Sequence, residues 1–313
     1  MKKIILIFII FIFSINLFCE NLRIGILNGP TSIPSAYLID KNDESYDFQI
    51  FSEPAAVIPK MIKKEIDIAF LPVNVAAKLY KSSKKQIVSC AVTGNGNLAI
   101  VTKDKKIKKM SDLKGKTIHV AGKGATPEYM LSFLIDQNGY EINSKKGITL
   151  DFSIPTQQLP AMLINNKVSY ALLPEPFATM AVLKDKSVFK AIDIQQEYSS
   201  LVGLGKQFPQ TVMVVRKEFA KNNPALYEQF MQDYEQAYEW TLSHIATAGK
   251  LCSKLNLGLD AKIVEESILS SNFVFYRSYE LKNEIEDLLK LFLEVNPSSI
   301  GDELPDNLFY FNE

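Results

Sequence analysis

The strongest constraint on the fold is a repeat within the chain. The segment 51–62 reads FSEP, four further residues and then PKMI, and the segment 152–163 reads FSIP, four further residues and then PAML. After a one-residue slip the match continues, with IDIAFLP at 66–72 against VSYALLP at 168–174. Two prolines, a Phe-Ser pair and a methionine in the same register rarely coincide by chance. The repeat therefore predicts two similar folding units.

Each copy of the repeat alternates strand and helix patterns. An apolar strand pattern at 22–27 precedes a turn and a helix from about residue 34, and a second strand pattern at 117–121 precedes a glycine turn and a helix near Pro127. This alternation is typical of a mainly parallel sheet with helices on both faces, in which ligands bind beyond the carboxyl ends of the strands. We therefore expect an α/β protein of two similar lobes that face each other across one cleft.

The lobe boundaries follow from the order of these patterns. We predict lobe I over 20–103 and 211–313 and lobe II over 104–210. The β-rich runs at 98–102 and 211–215 resemble each other and are predicted to form a two-strand hinge.

Length and charge agree with an exported two-lobe protein. With 313 residues, 47% hydrophobic and 22% charged, the chain is long enough for two units of about 150 residues each. Lys2 and Lys3, followed by an apolar run at 4–13, predict a signal peptide over 1–19 and a periplasmic or other extracytoplasmic location. Without 1–19, the 35 basic and 35 acidic residues become 33 and 35, so nucleic acid is not expected as a partner.

The three cysteines leave two questions open. Cys19 stands where a lipoprotein signal places its modified cysteine, but residues 16–18 lack the small residue that such a signal needs, so lipidation and simple cleavage are both retained. Cys90 and Cys252 could pair, although two buried free thiols are favoured, because one disulfide in a large domain is not a framework.

Candidate ligand-binding residues lie in the turns that follow the strands. Hydroxyls and backbone N–H groups at these turns could bind a ligand anion, or the same side chains could simply cap helices. Arginine occurs only at Arg23, Arg216 and Arg277, away from the turns, which disfavours a bidentate clamp on a ligand carboxylate. The predicted ligand-binding residues are Thr31, Ser32, Val73, Asn74, Gly94, Asn95, Gly124, Thr126, Thr156, Gln157, Glu175 and Phe177.

Two of these residues have distinct alternatives. Glu175 stands between two prolines and could accept hydrogen bonds from a cationic or amide-bearing ligand, or could be favoured there by the helix dipole. Phe177 could stack on a ligand ring or belong to the core.

Catalysis is not indicated. The only histidines, His119 and His244, are expected in a strand and in a long helix, away from the cleft. No nucleophile elbow and no zinc-ligand spacing occurs, and the GKT at 115–117 lacks the first glycine of a P-loop. We expect no enzyme activity, no cofactor and no metal. An enzyme of cofactor biosynthesis on the same fold and a ligand-sensing module for a receptor are the alternatives.

Several short motifs, in this order and spacing, resemble one known family. They are EIDIAFLP at 65–72, DLKGKTI at 112–118, ATPEY at 125–129, LPEPFA at 173–178 and QTVMV at 210–214. The chain is similar to the nitrate, sulfonate, taurine and thiamine-pyrimidine group of ABC-importer solute-binding proteins, although Glu65 replaces a common glycine. This resemblance implies the type II periplasmic binding protein fold and a monomer that closes on a small molecule, such as a sulfonate, nitrate or a pyrimidine, and delivers it to ABC permease subunits.

Overall fold

The computed structural model describes residues 21–144 and 146–312, so the predicted signal peptide and Cys19 lie outside the described residues. In chain order the elements before residue 203 are β1 Leu22–Leu27, α1 Ser32–Lys41, β2 Tyr46–Phe51, α2 Pro54–Ile62, β3 Ile68–Pro72, α3 Val73–Ser82, β4 Ile87–Asn95, β5 Leu98–Thr102, β6 Thr117–Val120, α4 Thr126–Gln137, β7 Thr149–Asp151, α5 Leu159–Ile164, β8 Tyr170–Pro174, α6 Phe177–Lys184, β9 Phe189–Asp193 and α7 Ile194–Val202. After residue 208 the elements are β10 Pro209–Arg216, α8 Lys217–Asn222, α9 Pro224–Ser243, α10 Ile245–Lys254, α11 Ala261–Ser267, β11 Phe273–Arg277 and α12 Lys282–Val295. Short 3₁₀ turns lie at Met110–Leu113, Thr156–Gln158, Ile268–Ser271, Pro297–Ser299 and Asn307–Phe309.

Within the described residues the strands form two sheets with the same core topology. The first sheet has the order β11-β4-β10-β3-β1-β2, and the second has the order β7-β6-β8-β5-β9. In each sheet three strands are parallel, β2-β1-β3 or β7-β6-β8, and an antiparallel strand, β10 or β5, follows the third. This confirms the predicted α/β fold of two similar lobes.

The strand β5 belongs by hydrogen bonding to the second lobe. Its residues pair with β8 and β9, whereas lobe I was predicted to end after it, at Lys103. The chain crosses between the lobes at Gly96 and Asn97 and returns through 203–208. Because β5 and β10 hold equivalent places in their sheets, the resemblance between their sequences reflects the repeat, and the pairing favours a lobe boundary at Gly96. The exact division of the lobes stays a prediction.

Local sequence signals set most helix starts to within a residue or two. Proline occupies the first turn of α4 as predicted, but the cap is Ala125 and Thr126 is already helical. Asn223 holds the N-cap position of α9 before Pro224, without a side-chain hydrogen bond to the helix. His244 lies at the junction of α9 and α10 and not inside one long helix, because α9 ends at Ser243.

The core of lobe I contains a buried ion pair between Asp67 and Arg216. Asp67 is fully buried and accepts from the Arg23 guanidinium at 2.8 and 2.9 Å and from Arg216, so this carboxylate ties β1, β3 and β10 together. Buried charges are retained where they are paired in this way.

Cys90 and Cys252 are buried free thiols, which confirms the favoured reading. Across 21–144 and 146–312, no helix is both long and apolar enough to cross a membrane.

Candidate functional site

The candidate site is the cleft between the two sheets. The parallel strands of each lobe end at the turns that carry the predicted residues, and hydrogen bonds connect the two sets of turns directly. Helix α12 of lobe I also reaches lobe II, where the Phe292 ring lies 5.9 Å from the ring of Tyr129 on α4. The lobes therefore lie against each other at this edge.

Asn74 is the central contact between the lobes. Its side chain is fully buried at the first turn of α3, where β3 ends. The Asn74 Nδ2 donates to the Gly124 carbonyl at 3.0 Å, and the Thr126 hydroxyl donates to Asn74 Oδ1 at 3.2 Å. A further Nδ2 bond, 3.2 Å long, reaches the Ser299 carbonyl. The structure thus brings together three of the predicted residues, one from lobe I and two from lobe II.

The hydroxyls of the first turn serve lobe I itself. Thr31 Oγ1 accepts from the Leu27 amide at 3.0 Å and donates to the Leu27 carbonyl at 2.7 Å. The Ser32 hydroxyl donates to the Gly29 carbonyl at 2.8 Å. Neither hydroxyl accepts from a helix amide, although Thr31 is the N-cap position. These side chains close the turn, and the neighbouring Gly29 approaches the ring of Phe177 from lobe II, which a Cβ at this glycine would meet at 3.4 Å.

Val73 lies in the core and not at the cleft surface. Its side chain is fully buried within the larger core cluster, which includes Phe70 and extends into both lobes. Phe177 is buried too, in the smaller lobe II cluster formed with α5 and α6, while it faces Gly29 at its ring edge.

The residues predicted near the second repeat lie at the far side of the cleft. Gln157 Nε2 donates to the Ser52 carbonyl of lobe I at 3.2 Å, where β2 and β7 end. Thr156 is half-buried at the start of the same 3₁₀ turn. This contact joins the two copies of the repeat, because Ser52 belongs to the first FSxP segment.

Glu175 has partners from both lobes. Its carboxylate is 3% exposed and contacts Lys190 Nζ, accepts from the Thr179 amide at 3.1 Å and accepts from the Ser270 hydroxyl of lobe I at 3.0 Å. The Glu175 amide donates to the Asn97 carbonyl in the crossover. Glu175 therefore pairs with Lys190 and also accepts from an amide in the first turn of α6, where the sequence suggested a favourable helix dipole.

Amide side chains connect the two crossover segments. Asn95 Nδ2 donates to Gln207 Oε1 at 2.5 Å, and Gln210 Nε2 donates to Asn97 Oδ1 at 2.8 Å. The Gly96 amide also donates to the Phe208 carbonyl at 3.0 Å. Gly94 lies beside this point, in β4 next to β10. Hydrogen bonds thus join the two crossovers, and the predicted ligand-binding residue Asn95 contributes one of them.

A cavity of about 250 Å³ lies between Glu175 and the crossover. Its lining residues are Gly96, Asn97, Leu98, Ala99, Glu175, Lys190, Asp193, Ser270 and Asn272. Sequence reasoning missed all of these except Glu175. Gln210, which binds Asn97, begins the QTVMV motif at 210–214, whereas Ser270 and Asn272 follow a helical pattern and carry no local signal.

The carboxylate at the end of β7 is ionised more readily than usual. The pKa of Asp151 is lowered because the Ser153 hydroxyl and amide donate to it, and His119 lies 3.5 Å away. In the part of the chain that the structure describes, no group of three or more His, Cys, Asp or Glu side chains is arranged to hold a metal ion.

Two α/β lobes of one topology, two crossovers and a polar cleft at the strand ends define the periplasmic binding protein fold. Within that class the chain belongs to the NMT1/THI5-like family, whose profile matches residues 54–248. This confirms the resemblance that the motifs indicated.

Solved structures of the same fold cover nearly the whole chain. An ABC transporter protein of Parabacteroides distasonis aligns with a TM-score of 0.74 at 21% identity, covering 94% of this chain and 99% of that one. The periplasmic aliphatic sulphonate binding protein SsuA of Escherichia coli aligns at 0.69 and 17%, covering 92% of each chain. The periplasmic nitrate-binding protein NrtA of Synechocystis aligns at 0.67 and 12%, covering 90% of this chain and 84% of that one. No curated protein matches the sequence.

Proposed function

We propose that the protein is an extracytoplasmic solute-binding component of an ABC importer, which captures a small molecule between its lobes and delivers it to the membrane permease. The observation that supports this most is the contact of Asn74 with Gly124 and Thr126, because residues at the strand ends of the two lobes then meet across one cleft. The family match and the binding proteins among the structures of the same fold support it further.

Closure by rotation about the crossovers is the proposed mechanism. A ligand that contacts both lobes stabilises the closed arrangement by its differential affinity for it. The amides of Asn97 and Gln210 hold the crossovers side by side, so the lobes move about a short axis there. The protein acts as a monomer without a cofactor, is exported by residues 1–19 and is not an enzyme.

The proposed ligand-binding residues are those at the strand ends. Thr126 and Glu175 are the two whose substitution tests the proposal most directly. The proposed ligand is a small molecule of the class that the motif resemblance implies: a sulfonate, nitrate or a pyrimidine.

A thermal-shift panel tests the function directly. The protein without residues 1–19 retains every described element and is heated with taurine, alkyl sulfonates, nitrate, hydroxymethylpyrimidine and its phosphate, riboflavin and amino acids. A ligand at 100 times its Kd adds about 2.7 kcal/mol to the free energy of unfolding. We expect one compound class to raise the Tm, and to be recovered unchanged by mass spectrometry.

Two variants place the ligand. Thr126→Val removes the hydroxyl at the cleft, and Thr149→Val removes one at the exposed start of β7, at the end of the same sheet that lies away from the cleft. The first should reduce the ligand-induced shift and the second should not. Equal shifts in both variants would place the ligand elsewhere, and conversion of the compound during incubation would favour the enzyme alternative.

A further inference from the structure

The end of lobe II that points away from the cleft is strongly basic. Residues 103–116 contain seven lysines and two aspartates. They run from the end of β5 to the start of β6, at the end of the strands opposite the cleft turns. The exposed lysines of this segment are Lys105, Lys106, Lys108, Lys109 and Lys114.

Two neighbouring loops add lysines at the same end. The Gly115 amide donates to the Gly147 carbonyl at 2.6 Å, which brings the exposed Lys146 to this segment. Lys103 Nζ donates to the Ile164 carbonyl at 2.7 Å, at the loop that carries the exposed Lys167. We call these seven exposed lysines the basic pole: Lys105, Lys106, Lys108, Lys109, Lys114, Lys146 and Lys167.

Asp104, Asp112 and Asp185, which lie near the basic pole, accept hydrogen bonds from groups other than the ammonium groups of its lysines. Asp104 accepts from the Tyr170 hydroxyl at 2.8 Å, Asp112 accepts from two backbone amides, and Asp185 pairs with Lys103 at 2.9 Å. Among the described residues, no carboxylate forms an ion pair with a lysine of the basic pole within 4 Å.

The corresponding end of lobe I is different. There Lys60 pairs with Glu65 at 3.0 Å, Lys64 pairs with Glu218 at 2.5 Å, and Arg216 binds Asp67. Since the two ends hold the same place in the repeated fold, the unpaired charge of lobe II does not follow from the topology.

We propose that the basic pole binds the surface of a membrane that contains anionic lipid headgroups. Lysines are point charges on flexible stems and do not form the planar fork that selects a single anion, and lobe II contains no arginine. The apolar residues of the segment, Ile107, Met110 and Leu113, are buried, so the contact is electrostatic and involves no insertion. Several lysines close to an anionic surface each add to the attraction, over about one Debye length. This proposal does not depend on the cleft ligand.

Vesicle co-sedimentation tests the proposal with a matched control. The protein without residues 1–19 is mixed with vesicles of phosphatidylglycerol and phosphatidylcholine, or of phosphatidylcholine alone. One variant changes Lys105, Lys106, Lys108 and Lys109 to Gln. The control variant changes Lys60, Lys63, Lys64 and Lys84 to Gln, which removes the same charge from lobe I. We expect binding to the anionic vesicles only, weakened about tenfold or more in the first variant, little changed in the control and lost at high salt.

The alternatives give different results. Equal weakening in the two variants would show a response to net charge and overturn the assignment to the basic pole. Binding of polyglutamate without binding of vesicles would identify an acidic protein partner instead, and absence of both would leave the lysines a solvated surface; either result overturns the proposal. Unchanged Tm values verify that both variants fold.

Discussion

The two lobes have the same strand order, but equivalent turns have different partners. Thr31, after the first strand of lobe I, bonds the backbone of its own strand, whereas Thr126, after the first strand of lobe II, donates across the cleft to Asn74. After the third strands, Asn74 reaches lobe II and Glu175 reaches Ser270 of lobe I. The repeat therefore fixes where the turns lie, and the individual side chains decide which turns connect the lobes.

The largest effect is expected from Asn74→Ala. It removes three hydrogen bonds at a buried position and leaves the Thr126 hydroxyl and two carbonyls without that partner, a loss of about 2–4 kcal/mol in the free energy of unfolding. Urea unfolding measures the loss. Small-angle X-ray scattering should also show a larger radius of gyration, because the lobes separate more easily.

Thr31→Val is the control for Asn74→Ala. Its hydroxyl bonds only the Leu27 backbone, so this variant should lower stability by about 1 kcal/mol and leave the radius of gyration unchanged. An equal expansion of both variants would contradict the difference between the lobes described above.

The second effect concerns the crossover. A Cβ on Gly96 would lie 2.4 Å from the fully buried ring of Phe208, whereas one on Gly94 would lie 3.7 Å from the nearest atom, in Thr211. Gly96→Ala should therefore cost about 1–3 kcal/mol of stability, because a packed ring must move, and Gly94→Ala much less. Paired thermal melts compare the two, and similar Tm values would show that the crossover adapts freely.

The third effect separates the two kinds of partner at Glu175. Glu175→Gln leaves Lys190 without its counter-charge and should cost about 1–3 kcal/mol, whereas Ser270→Ala removes only the bond from lobe I and should cost about 0.5–1.5 kcal/mol. Denaturant midpoints test this order. A greater loss in Ser270→Ala would mean that the bond between the lobes, and not the ion pair, is the main role of Glu175.

The smallest effect is a pH dependence confined to lobe II. The pKa of Asp185 is lowered from 3.8 to about 2, chiefly because Lys103 donates to it and also through the Ser187 amide and hydroxyl. Because the pKa of Asp185 is lower in the folded state than in the unfolded state, the carboxylate stabilises the protein at pH values above its unfolded-state pKa. This contribution is lost as the pH falls toward about 2. The Tm difference between the native protein and Asp185→Asn should narrow between about pH 5 and pH 2. A Tm difference that stays constant with pH would show that the ion pair adds nothing to stability, which is common for ion pairs near the surface.

Much of the architecture was predictable from local patterns. The FSxP repeat, the Leu-Pro strand ends and the prolines at helix starts are encoded within a few residues each, so they indicated two α/β lobes and the cleft between them. The position of β5 was harder to predict, because an apolar β-branched run such as LAIVT suits either sheet and only its pairing with β8 assigns it.

The sequence by itself determined the repeat, the alternation of strands and helices and the turns that hold Asn74, Thr126 and Glu175, since these depend on spacing and backbone preference. Only the tertiary structure decided that Val73 lies in the core, that Thr31 serves its own turn, and that Ser270 and Lys190 join Glu175. The bond between Ser270 and Glu175 joins residues 95 positions apart and depends on how the lobes pack, so local sequence carries no record of it. Thr31 and Lys190 bond near their own positions in sequence, but those side chains have several possible partners and only the folded geometry selects one.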